Sequence, residues 1–311
     1  MGHPAPGKPN AGFDGRWSRE SFGRSRRPQR LETRRCILAI QEQDAHSEGS
    51  GFVNMRWMVR YVFYFALGVA AVVAFAGSAG AESKKVVAEP CGSVFGTHVC
   101  TSYQMRAGKV ISFSLRVPVA MIEHAPANVA MVWPPKAELN VRFAPIVEKQ
   151  TGFTYANIYW NAHGHEPATY MVPHFDFHFY FVPERQVETI NCKDTVKPRA
   201  VPAGYFLPPD ENVPGLGVVV GACIPNMGMH TAPTTDLSGK APWKGSLLVG
   251  YYGGKPIFVE PMITSALLLQ KHSFTLPVPA GIEPAAHVRY PKGFRAVYLP
   301  ESKAYDFTFF Y

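Results

Sequence analysis

The stretch HFDFHFYFV, residues 174–182, decides the fold class of this 311-residue chain. Successive side chains of a β-strand point to opposite faces of a sheet. A phenylalanine stands at every second position from 175 to 181, which predicts a continuous aromatic face for a hydrophobic core. The residues between them, His174, Asp176, His178 and Tyr180, would form a polar row on the other face. The pattern predicts a strand with one apolar side and one chemically reactive side.

Short β-rich segments recur through the chain from residue 109 onward. They are residues 109–117, 153–160, 217–224, 246–252, 256–260 and 304–311. Gly253-Gly254 is typical of a tight hairpin turn between two of them. Helical periodicity is confined to residues 264–271 and 185–192, and the proline-rich residues 198–215 are predicted to form an irregular loop. The sequence therefore predicts a mainly β fold, an antiparallel β-barrel or sandwich with one or two short helices.

The positive charge of the chain is concentrated near its N-terminus. Residues 1–81 contain 11 Lys and Arg against 6 Asp and Glu, whereas the other 230 residues contain 20 against 17. A nearly neutral body without a basic, aromatic stripe argues against nucleic acid as a partner. The 47% hydrophobic content argues against intrinsic disorder.

Residues 55–81 have the three-part layout of a secretory signal peptide. Arg56 and Arg60 precede an apolar run at 62–75, and Ala79-Gly80-Ala81 supplies the small-residue cleavage pattern. The 14-residue apolar run is shorter than the ~20 residues that span a bilayer. We therefore expect an exported protein, periplasmic or extracellular, that does not associate with the membrane after cleavage.

The export prediction divides the chain into three parts. Residues 1–54, rich in Gly, Pro, Arg and Ser, are a disordered or mis-annotated extension, with translation starting at Met55 or Met58. Residues 55–81 are the signal peptide, and residues 82–311 form a single β-rich domain. The alternative is a disordered cytoplasmic tail on a membrane-anchored protein.

Four cysteines follow residue 81, namely Cys91, Cys100, Cys192 and Cys223, and four cysteines permit three pairings. Loop closure is easiest between near neighbours, which favours Cys91–Cys100 and Cys192–Cys223. The alternative is four reduced, buried cysteines. The sequence has no CxxC spacing, so it supports neither thiol redox chemistry nor a zinc ribbon.

Histidines and acids are dense between residues 163 and 178, with four histidines and two acids in 16 residues. Imidazoles with a carboxylate are the usual ligands of zinc and other divalent transition metals. The predicted metal ligands are His165, His174, Asp176, His178 and His230, with Glu166 and Glu260 as further ligands or neighbours. Zinc is the first choice of metal. Copper is the rival because Met227 and Met229 flank His230, and thioethers favour Cu(I).

A regular strand limits how these ligands can share one ion. His174 and His178 would lie ~13 Å apart along it, too far for a single ion. A kink near Pro173 or a bulge within residues 174–178 is required, or only one of the two binds. The alternative is that both histidines face solvent opposite an aromatic core. His163 is predicted to be an ordinary loop residue.

Three segments resemble a bacterial family of exported proteins known as a domain of unknown function. They are GHEP…YMVPHFDFHFYFVP, the C-x-P-x-MGxH segment at 223–230 and the hairpin YYGGKPIFVEPMIT at 251–264. The similarity covers roughly residues 90–275. The family's recurring polar positions match His165, Glu166, His174, Asp176, His178, His230 and Glu260. His163 is outside this pattern and therefore ranks second as a ligand. The resemblance implies an exported, β-rich protein that forms oligomers and holds a metal, and it implies no known reaction.

Three functions fit these observations. The first is an exported metal-binding protein that serves metal handling or envelope stress. The second is a zinc-dependent hydrolase or lyase with a metal-activated water, in which Glu166 or Glu260 is the general base. The third is a β-barrel that binds a small molecule without metal, through an aromatic pocket. The chain lacks GxSxG, HExxH and a Gly-rich phosphate loop, so serine-hydrolase, zincin and nucleotide chemistry have no support.

Overall fold

The chain folds into antiparallel strands, as its alternating pattern predicts. The computed structural model describes residues 84–130, 132–213, 215–238 and 242–311, with side chains from residue 90 onward. The strands are β1 (Lys84–Val94), β2 (Thr97–Arg106), β3 (Lys109–Pro118), β4 (Leu139–Arg142), β5 (Tyr155–Asn161), β6 (His174–Tyr180), β7 (Tyr205–Phe206), β8 (Glu211–Val213), β9 (Gly217–Val219), β10 (Met229–Pro233), β11 (Gly245–Tyr252), β12 (Lys255–Thr264), β13 (Phe274–Leu276), β14 (Gly293–Leu299) and β15 (Ala304–Phe310). The helices are α1 (Val119–Glu123), α2 (Pro145–Thr151), α3 (Glu184–Val187) and α4 (Ser265–Leu268). The predicted extension at 1–54 and signal peptide at 55–81 lie outside the described residues.

Two large sheets and one small hairpin account for these strands. The six-stranded sheet has the order β1-β2-β3-β15-β14-β13, and the seven-stranded sheet has the order β4-β5-β6-β12-β11-β10-β7. Strands β8 and β9 pair only with each other among the described residues. Strand β6 therefore lies inside the seven-stranded sheet, between β5 and β12.

The core lies between the two large sheets, where the phenylalanines of β6 meet those of β15. Phe177 contacts Phe307 edge-on at 4.8 Å between ring centroids, and Phe179 contacts Phe309 at 4.9 Å. All four phenylalanines of residues 175–181 are at most 1% exposed. Burying one such ring contributes roughly 1.5–3 kcal/mol. The aromatic face predicted from the sequence is confirmed, and it joins the sheets as the layers of a sandwich.

Some element boundaries differ from the prediction. The described residues contain four short helices rather than one or two. The unpredicted α2 has Pro145 in its first turn and Gly152 after its end with φ 80°, a combination typical of helix termini. The strand predicted at 217–224 is reduced to β9, and the predicted loop 198–215 contains β7 and β8. Strand β12 continues past Pro261, which donates no hydrogen bond, because the flanking residues stay paired with β6 and β11.

Both disulfides join the predicted partners. Cys91 is bonded to Cys100 across the β1–β2 pair, and Cys192 is bonded to Cys223 over a separation of 31 residues. The second bond connects the segment after α3 to the segment that leads into β10. None of the helices in the described part of the chain is long and apolar enough to cross a membrane.

Gly250 on β11 provides space for the ring of Phe258 on β12. The two residues are paired across the strands, and a Cβ at position 250 would lie 1.9 Å from Cε1 of Phe258. Phe258 is fully buried. Any larger residue at 250 must displace that ring, so the ring's position depends on glycine.

We predict that Gly250→Ala destabilises the fold by about 1–3 kcal/mol, the usual range for overpacking a core. The measurement is the free energy of unfolding from urea denaturation. The control is the double variant Gly250→Ala/Phe258→Leu compared with Phe258→Leu alone. If the added methyl clashes with the ring, its effect shrinks once the ring is gone. An equal effect in both backgrounds would contradict this account.

Candidate metal centres

Six side chains on the face of the seven-stranded sheet that points away from the core form two triads. The Glu260 triad consists of His178, His230 and Glu260, and the Asp176 triad consists of His165, His174 and Asp176. In each triad one ligand atom from every residue lies within 4.8 Å of the others. Each triad thus offers two imidazoles and one carboxylate to a common point.

Strand register assembles the Glu260 triad from three strands. Val259 pairs with Phe179 and Met262 with Asp176, which places Glu260 beside His178. His230 on β10 reaches the same carboxyl group from the far side of β11. Nε2 of His178 lies 3.4 Å from Oε1 of Glu260, and Nε2 of His230 lies 3.8 Å from Oε2.

The Glu260 triad is buried and its polar atoms are poorly satisfied. His178 is 0% exposed and Glu260 is 2% exposed. Both ring nitrogens of His178 and Oε2 of Glu260 have no hydrogen-bond partner among the described residues. A buried polar group without a partner costs roughly 1–3 kcal/mol, and such groups in native proteins call for a water, ion or ligand.

Burial disfavours the charged form of all three groups of this triad. It lowers the pKa of His178 to about 3, with His230 as the next cause, and lowers the pKa of His230 to about 4. Burial and then the charge of Asp176 raise the pKa of Glu260 well above its usual value. With a pKa of about 3, His178 is neutral near pH 7, so its contact with Glu260 is not an ion pair. Neutral imidazole is the form of histidine that binds metals.

Aromatic rings enclose the Glu260 triad. The ring of Phe258 lies 4.7 Å from that of His178 and 5.2 Å from that of His230. Tyr159 on β5 contacts the imidazole of His178 edge-on at 5.2 Å. These rings occupy the space around His178, which restricts its orientations and excludes water from its sides.

The orientation of His230 depends on the segment that holds the second disulfide. Nδ1 of His230 lies 3.3 Å from the carbonyl oxygen of Ala222, the residue before Cys223. With the proton on Nδ1, this hydrogen bond leaves the lone pair of Nε2 directed toward Glu260. Metal-binding histidines usually have such a second contact through their other ring nitrogen.

The Asp176 triad combines β6 with the loop that precedes it. His174 and Asp176 are neighbours on the same face of β6, and His165 comes from the loop. Nε2 of His174 lies 3.2 Å from Oδ1 of Asp176, and Nε2 of His165 lies 3.6 Å from Oδ2. Asn161 on β5 donates a 2.7 Å hydrogen bond to Oδ2.

Backbone carbonyls orient both imidazoles of the Asp176 triad. Nδ1 of His174 lies 2.6 Å from the carbonyl oxygen of Val172, and Nδ1 of His165 lies 2.8 Å from that of Glu166. A carbonyl oxygen accepts only from a protonated nitrogen. Both Nδ1 atoms therefore have protons, and both Nε2 atoms point at the carboxylate.

The pKa directions in this triad are opposite to those in the Glu260 triad. Burial disfavours the charge of Asp176, but the charge of His174 and the hydrogen bond of His165 outweigh it and hold the pKa of Asp176 well below its usual value. Burial likewise disfavours the charged form of His165, but Asp176 outweighs it and raises the pKa of His165. The Asp176 triad thus has an ionised carboxylate.

The loop that contains His165 is fixed by close packing and hydrogen bonds. Gly164 has φ 71°, and a Cβ there would lie 2.1 Å from the carbonyl oxygen of Tyr170. The hydroxyl of Tyr170 donates to Oδ2 of Asp236 at 2.7 Å. Trp243 contacts His174 edge-on at 5.3 Å. The glycine of the GHEP sequence is therefore required where the loop folds back on itself.

A single ion shared by His174 and His178 does not fit this arrangement. Strand β6 pairs with β5 in unbroken register from His174 to Tyr180, so it has neither the kink nor the bulge that a shared ion requires. His174 and His178 consequently belong to different triads. The structure brings all five predicted ligands into triads, but it divides them between two.

The remaining candidates lie in distinct places. Glu260 is itself a member of a triad, whereas Glu166 is exposed beside His165. His163 is exposed, which agrees with its second rank. Met229 is buried with Cys223 and Tyr251 in an apolar cluster. As the neighbour of His230 in a strand, Met229 points to the opposite face.

Sequence reasoning did not identify Asn161, Gly250 or Asp236. A signal for Asn161 was present, because polar residues alternate in ANIYWN and place Asn157 and Asn161 on one face of β5. Nothing in the local sequence marks Gly250 or Asp236, whose roles depend on contacts with distant segments.

Comparisons with known proteins leave these triads as the main guide to function. No protein-family model matches the chain, and neither the curated proteins nor the solved structures include a significant match.

Proposed function

We propose that this protein is an exported metal-binding protein with a zinc centre at His178, His230 and Glu260, serving in metal handling or envelope stress. The observation that carries the proposal is the Glu260 triad, in which three buried ligand atoms lie within 4.8 Å of one another. Two histidines and a carboxylate are an established ligand set for zinc. A cation at this point would satisfy Nε2 of His178 and Oε2 of Glu260, which lack hydrogen-bond partners among the described residues.

The donor set favours zinc over copper. The case for copper depends on the thioethers of Met227 and Met229, and one of the two, Met229, packs in an apolar cluster on the opposite face from His230. The donors at the triad are nitrogen and oxygen, which suit zinc. The rigid orientation of His230 by the carbonyl of Ala222 supports a fixed coordination geometry.

Export is supported by two independent features. Two disulfides are typical of proteins that fold in oxidising compartments. Residues 55–81 have the layout of a signal peptide. The expected location is periplasmic or extracellular, in agreement with the resemblance to a family of exported proteins.

A zinc-dependent hydrolase or lyase is the second candidate, and the number of ligands favours it. Catalytic zinc sites keep three protein ligands and leave a fourth position for water. The burial of the site argues against an enzyme, because a substrate must reach a metal held by His178 and Glu260, both at most 2% exposed. If Glu260 binds the metal, it cannot also act as the general base, and that role would fall to the exposed Glu166.

We predict that His178→Ala lowers the zinc bound per chain by one equivalent, since it removes a ligand that no neighbour replaces. The measurement is metal analysis of the purified protein after dialysis against zinc. The matched control is His163→Ala, an exposed histidine in the same part of the sequence, which retains the wild-type zinc content.

A second variant separates metal loss from misfolding. Glu260→Gln keeps the side-chain volume and removes the carboxylate, and its circular dichroism should match that of the wild type. Loss of zinc from a folded Glu260→Gln variant supports the proposal. Unchanged zinc in both variants excludes the Glu260 triad, and a wild type that binds no metal leaves a small-molecule-binding protein.

We predict that zinc binding at the Glu260 triad weakens about tenfold for each pH unit between 7 and 5, because one proton competes with the metal. Burial raises the pKa of Glu260, so zinc has to displace a proton from its carboxyl group, and this displacement becomes less favourable as the pH falls. His178 and His230, with pKa values of about 3 and about 4, stay neutral in this range. The affinity is measured by calorimetry in a His174→Ala background, which disables the other triad. A pH-independent affinity would show that Glu260 is already ionised.

We predict that replacing Cys192 and Cys223 by alanine weakens zinc binding by about 10–100-fold, the usual effect of losing an outer contact to a ligand. The disulfide fixes the segment whose Ala222 carbonyl orients His230. The control is Cys91→Ala/Cys100→Ala, which removes a bond in the other sheet and should leave the affinity unchanged. Equal losses in both variants would indicate a general effect on stability.

A further inference from the structure

We propose that His165, His174 and Asp176 form a second metal centre, which binds its own divalent transition metal beside the one in the Glu260 triad. This inference rests on the proposed function, since it extends metal binding to a second site on the same strand. The two triads share β6, which supplies His174 and Asp176 to one and His178 to the other.

The orientation of the two imidazoles is the first argument. Each Nδ1 donates to a backbone carbonyl, so in its metal-binding neutral form each ring would present the lone pair of Nε2 to the region around Asp176. Those atoms lie 3.2 Å and 3.6 Å from carboxylate oxygens. Without a metal, protons on these nitrogens link them to the carboxylate, and Nδ2 of Asn161 also lies 3.3 Å from Nε2 of His174. A metal ion that displaces those protons would use one donor atom from each of the three residues.

The carboxylate is the second argument. The side chain of Asp176 is only 8% exposed, and its Oδ1 has no hydrogen-bond partner among the described residues. Asn161 holds the other oxygen, Oδ2, with a 2.7 Å hydrogen bond. One oxygen is thus fixed by the neighbouring strand and the other remains able to bind a metal between the two histidines. Supporting contacts of this kind orient ligating carboxylates.

Accessibility distinguishes the two centres. The side chain of His165 is 34% exposed, whereas that of His178 is 1% exposed. The loop with His165 lies against Asp236 through the hydroxyl of Tyr170, so its position is defined although one ligand reaches solvent. The Asp176 triad therefore suits a metal that exchanges with solution, and the Glu260 triad suits one that stays bound.

The test is the number of zinc ions bound by the full chain and its variants. The protein is stripped with a chelator, dialysed against Zn²⁺ and assayed for zinc per chain. We expect two equivalents for the wild type, one for Asp176→Asn, one for Glu260→Gln and none for the double variant. His165→Ala, which changes a partly exposed loop residue, should also bind one equivalent, and His163→Ala should bind two.

The outcomes separate this proposal from the function proposed above. A wild type with one equivalent, lost in Glu260→Gln and kept in both Asp176→Asn and His165→Ala, overturns the second centre and leaves the first. A wild type with one equivalent that is lost in Asp176→Asn and His165→Ala and kept in Glu260→Gln overturns the Glu260 triad instead. One equivalent that both carboxyl variants lose shows a single shared ion, and a wild type without zinc overturns both centres. Should Asp176→Asn fail to fold, the His165→Ala result decides.

Discussion

The alternation of β6 is the constraint on which the rest of the structure depends. Its phenylalanines can enter the core only if His174, Asp176 and His178 occupy the reverse face, because neighbouring strand residues point to opposite sides. A slip of one residue would exchange the two sets completely. The reverse face is also covered, since all three polar residues are at most 5% exposed. The strand that places the aromatic rings in the core therefore also holds two imidazoles and a carboxylate in buried positions.

The surrounding elements offset part of the free-energy cost of burying these polar groups, because they supply hydrogen-bond partners. The carbonyl of Val172 accepts from His174, Asn161 donates to Asp176, and the carbonyl of Ala222 contacts His230. Val172 and Ala222 lie in loops, whereas Asn161 lies on β5 of the same sheet. The buried polar atoms of the two triads that still lack a hydrogen-bond partner belong to His178, Asp176 and Glu260. A metal ion is the ligand that can satisfy several such atoms at one point without needing protons.

The sequence predicts those features that depend on local spacing. A period of two is visible within β6, and near-neighbour pairing of cysteines follows from chain entropy, so both predictions are confirmed. The division into two triads depends instead on which strands flank β6. Glu260 lies beside His178 only because β12 pairs with β6, and nothing near residue 178 indicates this neighbour. The role of Gly250 likewise appears only once Phe258 is seen above it.

Regularity of β6 also explains why the ligands form two triads rather than one large cluster. With the strand in unbroken register, each histidine must find partners on its own side: His174 from the preceding loop, and His178 from β12 and β10. Each triad includes one carboxylate, so a divalent cation at each would leave a net charge near +1. Two such charges held from one strand would repel each other, so a metal bound at either triad would weaken binding at the other.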